Sequence, residues 1–132
     1  MTDPIAQWHE IVRNRDADQL RALLHTDVVF QSPAMHTPQV GVAKTQQYLL
    51  AALAVLGPAQ FRYEREWRGA QSAVLEFTAQ IDGIAINGVD LIDWDTDGRI
   101  TRFTVMVRPL KALQTLVAHM GAQLTAPPSA QP

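Results

Sequence analysis

The stretch 72-SAVLEFTAQIDGIAINGVDLIDWDTDGRITRFTVMV-107 carries the reading of the fold. Apolar and polar residues alternate through 72–81, 84–94 and 99–107, the period of strands that bury one face. Asp82-Gly83 and the run Asp95-Thr96-Asp97-Gly98 supply the tight turns between them. Upstream, 60-QFRYEREWR-68 is a fourth alternating run, closed by Gly69. Four sequential strands joined by short turns predict an antiparallel meander. On the third of them, if Asp90 points inward, Ile86, Gly88 and Ile92 share its face, and Val89, Leu91 and Asp93 point the other way.

The residues before this meander are helical in pattern. Asp3 and Pro4 read as N-cap and first residue of a helix over 4–14, with Ile5, Trp8, Ile11 and Val12 at helical spacing. A short helix over 17–24 follows, ending near His25, with Leu20, Leu23 and Leu24 on one face. The β-branched and aromatic segment 27-DVVFQS-32 predicts a strand stopped by Pro33, and 33-PAMHTPQVG-41 reads as a loop. From Val42 to Leu56 an apolar stripe of Tyr48, Leu49, Ala52, Leu53 and Leu56 predicts a long helix ended by Gly57-Pro58. After the meander, Pro109 opens a last helix with Leu110, Leu113, Leu116, Val117 and Met120 along one side. Helices first and strands later is an α+β order rather than the alternation of a parallel α/β fold.

Composition narrows the possible functions. A length of 132 residues suits one domain, expected to span residues 1–124, because a chain of this size supports a single core. The remainder, 125-TAPPSAQP-132, offers nothing to bury and is expected to be a disordered tail. Eleven basic residues against thirteen acidic ones, with no basic stripe, argue against nucleic acid as a partner. No apolar run is long enough for a membrane span and no signal-peptide pattern opens the chain, so a soluble, cytoplasmic protein is expected. The absence of cysteine removes thiol nucleophiles and thiolate metal sites, and no two histidines have metal-ligand spacing, so neither a metal nor another cofactor is expected.

Two segments carry a family resemblance. The chain resembles the SnoaL-like and ketosteroid isomerase-like members of the nuclear transport factor 2-like superfamily in 16-DADQLRALLHTDVVFQSP-33 and in 88-GVDLIDWDTDGRITRF-103. The resemblance runs from about Ile5 to Val107. It implies a curved, mostly antiparallel sheet, a cone-like half barrel, with the N-terminal helices laid over an apolar pocket and an added C-terminal helix. It places Leu75, Phe77, Ala79, Ile81, Phe103, Val105 and Val107 on the concave side. It also implies a homodimer formed through the opposite face of the sheet.

The same resemblance singles out Asp90, whose position matches one at which isomerases of this family keep a carboxyl neutral to bind an oxyanion. A carboxyl on an apolar face must be neutral, paired or at a pocket mouth. Asp90 is therefore either a catalytic acid or a side chain satisfied by Trp8 or a backbone amide. The family's oxyanion tyrosine corresponds to Trp8 and its catalytic base to Ser32, and serine cannot abstract a proton unaided. Steroid isomerisation by the family's mechanism is accordingly not expected. The acidic residue used by the family's epoxide hydrolases and cyclases corresponds to Val105.

His36 reads either as a base oriented by Asp90 or as an exposed loop histidine. The pocket wall is expected to include Trp8, Phe30, Ser32, Met35, Tyr48, Phe77, Phe103 and Val105. Arg62, Glu64, Glu66 and Arg68 are expected to form a solvated face opposite Phe61, Tyr63, Arg65 and Trp67, with no catalytic part. Two functions follow as alternatives. One is a pocket for a small apolar or aromatic carbonyl or hydroxyl compound, with cofactor-free isomerase, cyclase or hydratase chemistry. The other is a non-catalytic homodimeric module with a filled interior. A void of roughly 300 Å³ or more separates the first from the second.

Overall fold

The computed structural model describes residues 3–125. Helix α1 (Pro4–Asn14) starts where its cap predicts: Asp3 Oδ1 accepts from the amides of Ile5 and Ala6, with Pro4 in the first turn. Its inner face buries Ile5, Trp8 and Ile11. Asp16 caps the short α2 (Ala17–Leu23) through the amide of Gln19. There is no turn after α2. The chain passes directly into β1 (Leu24–Gln31), and His25, expected at a helix end, lies on the strand because Leu24 already pairs with Ile100.

The loop beyond Pro33 carries an unforeseen two-residue strand, β2 (Gln39–Val40), laid antiparallel on Val29 and Phe30. Helix α3 (Val42–Leu56) has the expected bounds. The meander follows as β3 (Arg62–Arg68), β4 (Ser72–Ile81), β5 (Ile84–Trp94) and β6 (Ile100–Arg108), and α4 (Leu110–Thr125) begins one residue after Pro109. Thr125, assigned to the tail by its sequence, is the last residue of α4; the rest of that expected tail, 126–132, lies outside the described residues.

One six-stranded sheet runs in the order β2-β1-β6-β5-β4-β3, antiparallel except that β1 lies parallel to β6. The sheet is curved and unclosed, and the fold is α+β. Burial alternates along β5, with Ile86, Gly88, Asp90 and Ile92 inside, as the parity predicts. Ala73, Leu75, Phe77, Ala79 and Ile81 do the same on β4. Tyr63 and Val105 pack against both of the molecule's apolar clusters, one under α1 and α3 and the other under α4.

Gly88 allows two of these strands to approach. A Cβ there would stand 2.5 Å from Phe77 Cζ and 2.6 Å from the carbonyl oxygen of Met106. The Phe77 ring lies in the space that a side chain at 88 would take, and the backbone at 106 cannot rotate away as a flexible side chain would. Gly88→Ala is expected to destabilise the fold by about 1–3 kcal/mol, read as a lower urea midpoint with an unchanged slope. A midpoint equal to that of the wild type would show that β6 yields without strain.

Strand β3 departs from simple alternation. Tyr63 stands opposite Phe77 and Arg65 opposite Glu76, so two steps on β3 match one on β4 and Glu64 is the extra residue of a bulge. The face changes at that point. Phe61 and Tyr63 point into the interior, whereas Arg65 and Trp67 lie on the outer face, where Arg65 pairs with Glu76 at 2.5 Å and stacks over Trp67 at 5.0 Å. The expectation that Phe61, Tyr63, Arg65 and Trp67 share one face is corrected by this single inserted residue.

Candidate active site

A cavity of about 220 Å³ lies between the concave face of the sheet and helices α1, α3 and α4. Of the chain's three tryptophans, two tyrosines and four phenylalanines, all but Trp67 and Trp94 line it. Trp8, Phe30, Ser32, Met35, Tyr48, Phe77, Asp90, Phe103 and Val105, each expected in the wall, are all there. The volume falls short of the roughly 300 Å³ typical of a ligand pocket, yet the rings line a void rather than fill it. Leu116, Val117, Met120, Gly121 and Leu124 of α4 form one side of the wall.

Asp90 is 5% exposed. Its cross-strand neighbours are Leu75 and Val105, neither of which offers a polar side chain. One partner comes from the sheet edge: the Tyr63 hydroxyl donates to Asp90 Oδ2 at 2.5 Å. Trp8 Nε1 in turn donates to the Tyr63 hydroxyl at 2.9 Å. The bulge at Glu64 makes this relay possible, since it leaves Tyr63 inside while the rest of β3 turns to other partners. The Tyr63 backbone belongs to an edge strand and keeps the residue half-buried, but its hydroxyl end is interior.

Burial disfavours charge on both groups. It pushes the Asp90 carboxyl up from the ordinary 3.8 to about 7, against the opposing pull of the Tyr63 hydrogen bond. The Tyr63 hydroxyl is held well above its ordinary value by desolvation and by the neighbouring carboxylate. Tyr63 therefore stays a donor while Asp90 changes state near neutral pH. No donor among the described residues reaches Asp90 Oδ1, which leaves that oxygen for a ligand in the cavity. A carboxyl with this titration can give a proton and take one back, the property required of an acid–base group.

The other expected residues fall into place differently. Ser32 Oγ accepts from the Ala34 amide at 3.0 Å and so braces the loop at the cavity wall. Tyr48 packs at 5.7 Å from Phe30, with the rings tilted. His36 does not reach Asp90. It is exposed and lines an open groove that adjoins the cavity through Ser32, Met35 and Val105, because the chain must reverse between β1 and β2 and His36 lies near the tip of that reversal. Its expected role as a base oriented by Asp90 has no geometric support; the loop-histidine alternative describes it.

Sequence reasoning passed over Tyr63. Its alternating neighbours are charged, and the strand reads as a solvated edge. The available signal was the change along one nominal face, from Phe61 and Tyr63 to Arg65 and Trp67, which no single buried face accommodates without a slip. Also unforeseen is the side-chain clamp between α1 and β3. His9 pairs with Glu66 at 2.8 Å, and Arg68 bonds both Glu66 at 2.5 Å and Asp3 at 2.8 Å. The His9 ring meets the Tyr63 ring edge-on at 5.2 Å.

The SnoaL-like domain family profile matches residues 5–103. The chain is similar to a solved steroid delta-isomerase from Pseudomonas aeruginosa, with 41% identity over 92% of this chain and 88% of that one and a TM-score of 0.86. It is also similar to an uncharacterised protein with a cystatin-like fold from Silicibacter pomeroyi, with 31% identity, 93% and 86% coverage and a TM-score of 0.85. A nuclear transport factor 2-like protein of unknown function from Mesorhizobium loti shares the fold at 20% identity, covering 80% and 88% with a TM-score of 0.69. No curated protein matches the chain.

Proposed function

The chain belongs to the SnoaL-like domain family of the nuclear transport factor 2-like superfamily, and from that premise we propose that its cavity binds a small, neutral apolar or aromatic carbonyl or hydroxyl compound and moves a proton on it through Asp90. One observation carries the proposal: a single carboxyl, buried among aromatic rings, held by the Trp8–Tyr63 relay and titrating near pH 7. When neutral, Asp90 donates from Oδ1 to a ligand oxygen. When ionised, it accepts a proton from a hydroxyl or from the carbon beside a carbonyl. Returning that proton to another atom of the same ligand is an isomerisation that needs no cofactor. The name of the Pseudomonas aeruginosa relative agrees with this reaction class. Ser32 is no base, so Asp90 has to do both steps here.

Exchange of the α-hydrogens of 2-tetralone in heavy water, followed by proton NMR, tests the proposal without knowledge of the natural substrate. The expected exchange is faster than in buffer alone and rises through about pH 7 as Asp90 ionises. Asp90→Asn should lower it by about 10²–10⁴-fold, the usual contribution of a positioned acid–base group. Exchange at the buffer rate in the wild type, or undiminished exchange in the variant, would remove the catalytic role from Asp90.

The interaction-module alternative rests on the outer face, where Trp67 is 50% and Met106 55% exposed. We propose that this face pairs two copies of the chain, which is compatible with the pocket because it lies on the other side of the sheet. Native mass spectrometry should give twice 14.6 kDa; a single chain at micromolar concentration would remove the dimer.

A further inference from the structure

The charge distribution around the cavity is one-sided. Among the described residues Asp90 is its only carboxyl, and no lysine, arginine or histidine lines it. Arg15 lies against Gly57 but is exposed and is not a wall residue. The helices complete the wall with uncharged residues. Helix α1 contributes Trp8 and Val12, α3 contributes residues from Tyr48 to Leu56, and α4 contributes residues from Leu116 to Leu124. Aromatic faces surround the same space and attract cations through their quadrupoles.

From this geometry we infer that the cavity also binds a hydrophobic ammonium ion, with Asp90 as its counter-ion and the aromatic wall around its carbon frame. This ligand class is distinct from the neutral one proposed above, although it occupies the same space. An anion finds no cationic side chain among the described residues of this wall. A neutral ligand meets one hydrogen-bonding carboxyl, whereas a cation gains from the carboxylate and the rings together. Binding a cation favours the ionised form of Asp90, so affinity is linked to the protonation of that group.

The other titratable groups near Asp90 are few. Tyr63 from β3 donates to it, and Tyr48 from α3 shares the wall. His9 from α1 and Glu66 from β3 pair with each other beside the Tyr63 ring. The neighbouring strands contribute Leu75 and Val105, and α4 contributes only apolar residues and Gly121.

Isothermal titration of the purified protein with adamantan-1-amine and with adamantan-1-ol separates the charge from the carbon cage the two probes share. The amine is expected to bind more tightly than the alcohol at pH 8, and its affinity to rise about tenfold from pH 6 to pH 8 as the ionised fraction of Asp90 grows. In Asp90→Asn the rise should vanish and the amine should weaken at least tenfold at pH 8, with the alcohol still bound. Tyr63→Phe, which removes the hydrogen bond favouring the carboxylate, should move the rise to higher pH. A rise that persists in Asp90→Asn would place the linked group elsewhere and would overturn the inference. So would an amine that binds no better than the alcohol, or does not bind. If the alcohol alone binds, the neutral-ligand reading survives and the ammonium inference fails; if neither binds, both fail.

Discussion

The stability of this protein should fall by about 4 kcal/mol as pH rises from 4 to 8, and Asp90→Asn should remove most of that fall. The sign follows from which state holds the proton. In the unfolded chain Asp90 has its ordinary value of 3.8, and in the fold it is raised to about 7. Between those values the native state is protonated at this group and the unfolded state is not, so raising the pH favours unfolding. Below the lower value both states are protonated; above the upper one both are ionised and the slope ends. Each pH unit in the interval is worth about 1.4 kcal/mol.

Groups with the opposite shift work at lower pH. Desolvation opposes the ionised form of Glu66 but is outweighed by its hydrogen bonds to His9 and Arg68, and Glu76 is lowered chiefly by its hydrogen bond to Arg65, so the contribution of both is lost as pH falls through the acid range. The difference between wild type and Asp90→Asn therefore isolates Asp90. Asparagine can still accept from Tyr63 and carries no charge to bury, so the variant should be the more stable protein at pH 8. Urea unfolding at pH 5, 6, 7 and 8 measures this. Parallel curves for the two proteins would show that Asp90 is not the buried titrating group.

Trp8→Ala should cost about 3–5 kcal/mol, the range for removing a buried aromatic side chain. The indole is 2% exposed and sits edge-on to Phe103 at 4.9 Å, so its loss opens a void under α1 and abandons a ring contact. It also removes the donor that holds the Tyr63 hydroxyl. Trp8→Phe weights the two effects differently, since it keeps an aromatic ring under α1 and gives up the N–H together with the smaller ring of the indole. With that donor gone, the Tyr63 hydroxyl is less firmly aimed at Asp90, and the pH at which stability stops falling should move above the wild-type value. Chemical denaturation gives the energy and carbon NMR of the Asp90 carboxyl gives the midpoint. A midpoint unchanged in Trp8→Phe would mean that Trp8 packs against Tyr63 without orienting it.

The parts legible in the sequence were those set by local chemistry. Asp3 and Pro4 start α1 because a capping carboxylate and a proline favour a helix start in any context. The period-2 runs of β4 and β5 found their strands and put Asp90 on the buried face, since parity follows from the pleat alone. The pocket residues contributed by regular elements, Trp8, Phe30, Tyr48, Phe77 and Phe103, followed from those faces and the family resemblance. His36 was not decided in this way, because a loop residue has no periodicity to aim it; its position came from the return of the chain to form β2.

The partner of Asp90 also lay beyond local reading. Tyr63 is 27 residues away in sequence, on a strand whose composition marks it as a solvated edge. Only the pairing of β3 with β4 shows the bulge at Glu64, because a bulge is a mismatch between two strands and neither strand alone contains it. The value near 7 for Asp90 has the same origin: the sequence places a carboxyl on an apolar face, but how far it is desolvated depends on α1, α3 and α4 closing over the sheet. The helices and the facing of β4 and β5 were thus determined residue by residue from the chain, and the facing of β3, the relay, the cavity and its charge were decided by packing, which brings together groups that sequence distance keeps apart.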